Sequence, residues 1–236
     1  MPSAPGPAAP RHLQPGALSW RTVTPPESRR PIFVAAAVIV AGQAWVGRSL
    51  GVDPFWVFPL VSAVLLVASI AVYERPGEPG RLARTLSFLF IALVIAANAV
   101  SLVLLVRGVF VGTNLAPPNL LLTGLALWLV NVAIFALFYW ELDGGGPEAR
   151  AAGYPGRYPD LVFPQHQDDQ EELSPDDWKP SFYDYLYVSL TSSIAFSPTD
   201  AMPYTRRAKL VMAAENLLSF ATLAVIVARA VNIARG

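Results

Sequence analysis

Four apolar stretches carry no charged residue: Ile32–Gly47, Phe55–Tyr73, Leu86–Val106 and Leu120–Trp140, of 16, 19, 21 and 21 residues. A helix needs about 20 apolar residues to cross the hydrocarbon core of a bilayer. The last three are of spanning length, and the first is completed by Pro31 and by Arg48, whose stem can snorkel. Pro59 falls in the opening turns of the second stretch, where a missing N–H is tolerated. Trp45, Trp56, Trp128 and Trp140 lie mostly near the ends of the runs, as interfacial aromatics do. A fifth stretch, Leu210–Val231, holds Glu215 and Arg229. Each would cost about 2.5–3.5 kcal/mol at mid-bilayer, and both lie towards the ends, where the cost is smaller. Steps of four and three residues put Glu215, Ser219, Thr222, Ile226 and Arg229 on one helical face. Such a stripe faces protein or water, so helix–helix hydrogen bonding and pore lining are both open to it. Asn98 and Ser101 read as helix–helix contacts.

The polar segments divide the chain. Residues 1–31 hold eight prolines and four arginines with no apolar run, the composition of a disordered tail. Between the fourth and fifth stretches, Gly144-Gly145-Gly146-Pro147 ends a helix. Asp168, Asp169, Glu171, Glu172, Asp176 and Asp177 follow as an anionic cluster, either a solvated loop or a cation-attracting vestibule. His166 beside Asp168 is too sparse a donor set to predict a metal. Phe182–Phe196 is aromatic-rich, amphipathic and too short and polar to span, and Pro198, Asp200 and Pro203 stop it. A short helix followed by irregular backbone at membrane depth survives only when buried in protein or lining water, which describes a re-entrant loop. The expected architecture is an all-α membrane protein of about five transmembrane helices with a pore-helix-like re-entrant segment before the last. Its parts are a tail (1–31), three N-terminal helices (32–118) and a module over 119–236. That module comprises an outer helix (120–140), an acidic loop (141–181), a short helix and loop (182–204) and an inner helix (206–234).

Composition agrees with lipid as the solvent: 54% of residues are hydrophobic and 14% charged, against about 25% charged in soluble domains. Net charge is zero, so no nucleic-acid partner is expected. There is no cysteine and there are two histidines, which argues against thiolate metal sites, haem and other cofactors. No G-x-S-x-G, H-E-x-x-H or paired-carboxylate spacing is present, so no enzyme is expected. Fifteen Arg against two Lys, with abundant Ala and Pro, suits a GC-rich bacterial genome.

From about residue 120 to 234 the chain resembles the pore module of the potassium-channel superfamily, two-helix type, as a divergent bacterial branch with a degenerate filter. Tyr187, Ser189 and Thr191 stand in the pore helix, which in the family reads roughly Y-x-S-x-x-T, with Thr191 one residue early, and Asp200-Ala201-Met202-Pro203 matches D-x-x-P before the inner helix. Ser193-Ile194-Ala195-Phe196-Ser197 can be laid on the filter T-V-G-Y-G, with Pro198-Thr199 inserted before Asp200. Both filter glycines are then replaced, and a non-glycine residue in the left-handed region costs about 1–2 kcal/mol. Potassium selectivity is therefore not implied. The resemblance implies a homotetramer in the plasma membrane that passes monovalent cations with weak selectivity. Thr191, Ser192, Ser193 and Ser197 would then offer hydroxyls, Asp200 would ring the entrance and Phe196 would pack behind the filter. A non-conducting scaffold that keeps the fold is the alternative.

Orientation sets the residues against the resemblance. The tail, the 74–84 loop and the 141–209 segment hold four, three and six of the 17 basic residues. The opposite side holds Arg48, Arg107, Arg229 and Arg235. The positive-inside rule puts the tail and the filter-like loop in the cytoplasm, whereas the resemblance implies that both face outward.

Overall fold

A computed structural model of the chain describes residues 21–73, 80–111, 117–166, 178–198 and 200–235. The acidic cluster 168–177, with the His166–Asp168 pairing, lies outside the described residues, as does Thr199. The described chain is nearly all helical: α1 (Arg30–Ser49), α2 (Val57–Tyr73), α3 (Gly80–Val111), α4 (Pro117–Leu142), the short α5 (Pro147–Ala151), α6 (Phe182–Ala195) and α7 (Arg206–Arg235). Two two-residue strands, β1 (Leu161–Val162) and β2 (Met202–Pro203), pair antiparallel with Leu161 opposite Pro203. Four helices, α1, α3, α4 and α7, are long and apolar enough to cross a membrane. The second apolar run, Phe55–Tyr73, forms α2, a shorter helix of 17 residues.

The hydropathy runs find every long helix and understate its length. Leu86–Val106 sits inside α3, which starts at Gly80 and ends at Val111. Helix geometry persists because the next polar residues, Arg84, Thr85 and Arg107, still favour or tolerate helix. Pro31 occupies the first turn of α1 and Arg48 its last turn.

Helix α4 is the hub, packing against α1, α3, α6 and α7. In its most apolar stretch 61% of residues are buried, against 22% in α7. Gly124 lets α7 approach closely, because a Cβ there would meet Ile226 Cγ1 at 2.7 Å. The main core gathers Phe90, Ile134, Phe135, Tyr139, Trp140, Phe163, Tyr185 and Met212 where α1, α3, α4, α6 and α7 converge.

Helix α4 ends as its composition requires. Gly144, Gly145 and Gly146 have φ of 61°, 98° and 98°, a left-handed run that side-chain-bearing residues avoid. A Cβ on Gly144 would also meet the Tyr154 ring at 2.1 Å.

The expected disorder of residues 1–31 is corrected for the part described. The Thr24 N–H donates to Ala151 O at 2.9 Å. The Glu27 carboxylate accepts from Trp140 Nε1 and from the Phe182 backbone N–H, both at 2.7 Å. Arg29 pairs with Glu148 and lies over the Tyr73 ring at 3.5 Å. Composition alone misses this, because a few specific partners order a proline-rich strand that has no apolar run of its own. The same contacts place residues 24–29 beside Trp140, Glu148, Ala151 and Phe182 at one end of the bundle.

Candidate functional site

Helix α6 begins on a capping box: the Ser181 N–H and hydroxyl both donate to Asp184 Oδ2 at 2.7 Å. It packs between α4 and α7 and ends at Phe196, whose φ of 54° and ψ of 27° make a left-handed cap. At about 1.5 Å per residue, fourteen residues of helix run roughly 21 Å. The chain then turns back. Ala201 is buried, Met202 pairs with Val162, and the Tyr204 N–H donates to Asp160 O at 2.8 Å. Burial, and then the negative charge of Asp184 in the first turn of α6, push the Asp200 carboxyl above its usual range. Asp200 stands two residues before Met202, whose pairing with Val162 brings this stretch back to the strand that follows α5.

Within this hairpin the expected filter is corrected. Ser193, Ile194 and Ala195 continue α6 and form no extended ribbon. The hydroxyls find their acceptors without leaving the helix: Thr191 Oγ1 donates to Tyr187 O at 2.8 Å, Ser193 Oγ to Leu190 O at 2.8 Å, and Ser192 Oγ to Asn216 Oδ1 at 2.8 Å. The positive φ falls on Phe196, where neither replaced glycine would have stood. Phe196 packs edge-on against Phe220 with ring centroids 5.5 Å apart and remains 40% exposed, so it braces nothing behind a filter. Ile194 and Ser197 are exposed.

The stripe on α7 faces protein. Glu215, Ser219 and Thr222 are buried, and Ile226 meets the Gly124 surface of α4. Arg229 is partly buried, with its Nε unpaired among the described residues. The partners come from other helices. Asn98 Nδ2 donates to Asn131 Oδ1 at 3.1 Å and Asn131 Nδ2 to Ser219 Oγ at 3.1 Å, linking α3, α4 and α7. Glu215 is held between the Tyr139 hydroxyl of α4 and the Ser189 hydroxyl of α6. Of the two roles open to the stripe, helix–helix bonding is the one the structure adopts within the chain. Tyr139 and Asn131 escaped notice because each stands singly in an apolar run, and only the i, i+4 spacing of Tyr139 and Asp143 hints at a shared face.

One turn further out lies a second polar centre that sequence reasoning missed. Asp143 is fully buried at the end of α4, surrounded by donors: the Asp160 and Leu161 N–H groups at 2.6 and 3.0 Å on Oδ1 and the Tyr185 hydroxyl at 2.6 Å on Oδ2. Arg150 is buried beside it, donating to Trp140 O at 2.6 Å and to Asp143 O at 3.1 Å. Asp160 takes Arg207 Nε and Nη2 at 2.6 and 2.5 Å, the Thr205 hydroxyl at 2.5 Å and the Gly144 N–H at 2.9 Å. Burial alone would raise the Asp160 carboxyl, but these donors, Arg207 first, hold it below the usual carboxylate range. These bonds tie the return strand and the foot of α7 to the end of α4.

Nearby, His166 packs edge-on to Phe163 and Trp178 at 5.9 and 5.2 Å. Burial, with a smaller push from the Lys179 charge, lowers it to about 4. No protein-family model, no curated protein and no solved structure matches this chain.

Proposed function

We propose that the chain is a channel-like, multi-pass membrane protein of the plasma membrane, with five helices crossing the bilayer and α6 entering it part-way. The observation that carries this reading is the helix-and-return hairpin, α6 to Met202, held between α4 and α7. An outer helix, a short helix, a returning strand and an inner helix in that order are the parts of a pore module. Helix α2 counts as a span because 17 apolar residues reach about 26 Å, close to the roughly 30 Å of hydrocarbon that slight thinning makes up.

Assembly as a homo-oligomer, most simply a tetramer, is supported by the exposed face that α6 and α7 share. Tyr187, Ile194, Phe196, Leu217 and Phe220 all lie open on it. The C-terminus of α6 emerges on that face, and helix carbonyl ends attract cations. A path along a shared axis would draw on those carbonyls, Ser197 and Asp200. The Thr191, Ser192 and Ser193 hydroxyls are already bonded within the chain, and so selectivity between monovalent cations is weak. The second reading is a non-conducting scaffold, favoured by the inward-facing polar groups of α7.

Purified protein in liposomes, assayed for potassium and sodium flux over a range of voltages, separates the two. Similar flux of both ions, reduced by a bulky substitution at Ser197, is the expected result. A stable oligomer that passes neither ion supports the scaffold, and a monomer in every mild detergent removes the shared axis.

A further inference from the structure

Around Glu215, three oxygen–oxygen contacts share too few hydrogens. Tyr139 Oη meets Glu215 Oε2, Ser189 Oγ meets Glu215 Oε1, and Ser189 Oγ meets Val132 O at 2.8 Å. Each contact needs a hydrogen between its oxygens. The Tyr139 and Ser189 hydroxyls carry one each, and the Val132 carbonyl can only accept. A third hydrogen has one place left to sit. We infer that Glu215 is an intramembrane proton-binding site, holding its carboxyl as the neutral acid that donates from Oε1 to Ser189 while accepting from Tyr139 at Oε2. Ser189 is then free to donate to Val132. Binding is the addition of one solvent proton to a carboxylate, with no other bond made or broken.

The surroundings agree. Glu215 is wholly buried in a helix of spanning length, and neither ion pair among the described residues involves it. On α7 the nearest charges are Lys209 and Arg229. Helix α4 presents Tyr139, then Glu141 and Asp143 beyond it. Helix α6 presents Ser189, with Asp184, Tyr183, Tyr185 and Tyr187 on its other turns. Asp200 precedes β2, and α3 has no charge between Arg84 and Arg107. No cation is therefore supplied to an ionised Glu215, and an unpaired charge at this depth is costly. Asp143 is the contrast: every atom that meets its carboxylate is a donor, which suits the ionised form.

The site joins three helices, so its proton is a structural ligand that clasps α6 between α4 and α7. The inference does not depend on conduction. Infrared difference spectra of wild type minus Glu215→Gln, recorded in H2O and D2O on detergent-solubilised protein, test it. The expected result is one protonated-carboxyl C=O band, deuterium-sensitive, lost in Glu215→Gln and moved to higher frequency in Tyr139→Phe. Glu215→Gln should fold as well as wild type, because its amide donates to Ser189 and accepts from Tyr139. Its melting temperature should not share the fall expected of wild type as pH rises out of the ordinary carboxyl range, where the unfolded chain releases this proton and the folded one retains it. Carboxylate bands in place of the acid band, an unmoved band in Tyr139→Phe, or a Glu215→Gln that cannot fold would each overturn the inference.

Discussion

The Tyr185 hydroxyl donates to the Asp143 carboxylate at 2.6 Å, and that bond fixes how deeply α6 sits against the end of α4. Both side chains are fully buried, so neither can exchange its partner for water. Tyr185→Phe leaves the carboxylate with its two backbone donors and removes the third. The expected loss is about 1.5–3 kcal/mol, the usual value of a hydrogen bond to a charged group. Thermal unfolding in detergent measures it. A melting temperature equal to wild type would mean that the pair contributes nothing net.

Glu27 bridges Trp140 and the first N–H of α6, so residues before α1 hold the short helix in place. A carboxylate at a helix N-terminus also opposes the macrodipole favourably. Glu27→Ala should cost about 0.5–2 kcal/mol, as loss of a cap does. Faster amide exchange should appear at residues 182–186 and spare the core of α4. Exchange that rises uniformly, or not at all, would detach Glu27 from α6.

His166 makes the loop end acid-sensitive. Native packing holds the neutral imidazole, with a value of about 4 against the ordinary 6.5. The contribution is complete above 6.5 and is lost as pH falls from there towards about 4. Trp178 lies against the His166 ring, so its fluorescence should report loosening across that window. His166→Phe should flatten the transition. A transition that survives unchanged would assign it to other groups.

Residues 21–29 touch the region around Trp140 and Phe182, so the N-terminal segment and the loop after α4 belong on one side of the membrane. On the charge count we expect that side to be cytoplasmic. The chain has no cysteine, so single cysteines at Ser3 and Ser174 can be probed with a membrane-impermeant thiol reagent in intact cells. Neither should label. Labelling of both would reverse the orientation, and labelling of one would break the even number of crossings between them.

How much was legible depended on whether a residue's role was set locally. Apolar runs announced α1 to α4 and α7, and the glycine triplet announced the end of α4, because each signal lies within the element it announces. The face shared by Glu215, Ser219 and Thr222 was visible for the same reason. Its partners were not, since Tyr139 and Asn131 lie 76 and 88 residues away from the groups they meet. The filter was misplaced by assuming that positions matching a motif also adopt its backbone. Ser193 could bond to Leu190 O and keep the helix going, an option that residue identity alone does not reveal. Docking of Glu27 was hidden because proline content describes what a segment lacks, and two donors elsewhere supplied what it needed.

The hub position of α4 has a consequence for biogenesis. Its neighbours α1 and α3 leave the ribosome at or before the same time, whereas α6 and α7 come last. Until α7 enters the membrane, the amide of Asn131 and the hydroxyl of Tyr139 have no receiving groups from Ser219 and Glu215. A nascent chain that stops before Arg206 thus exposes those polar atoms to lipid or to whatever insertion factor shields them. The final helix therefore completes the polar contacts of α4, and a chain without it keeps Asn131 and Tyr139 short of those partners.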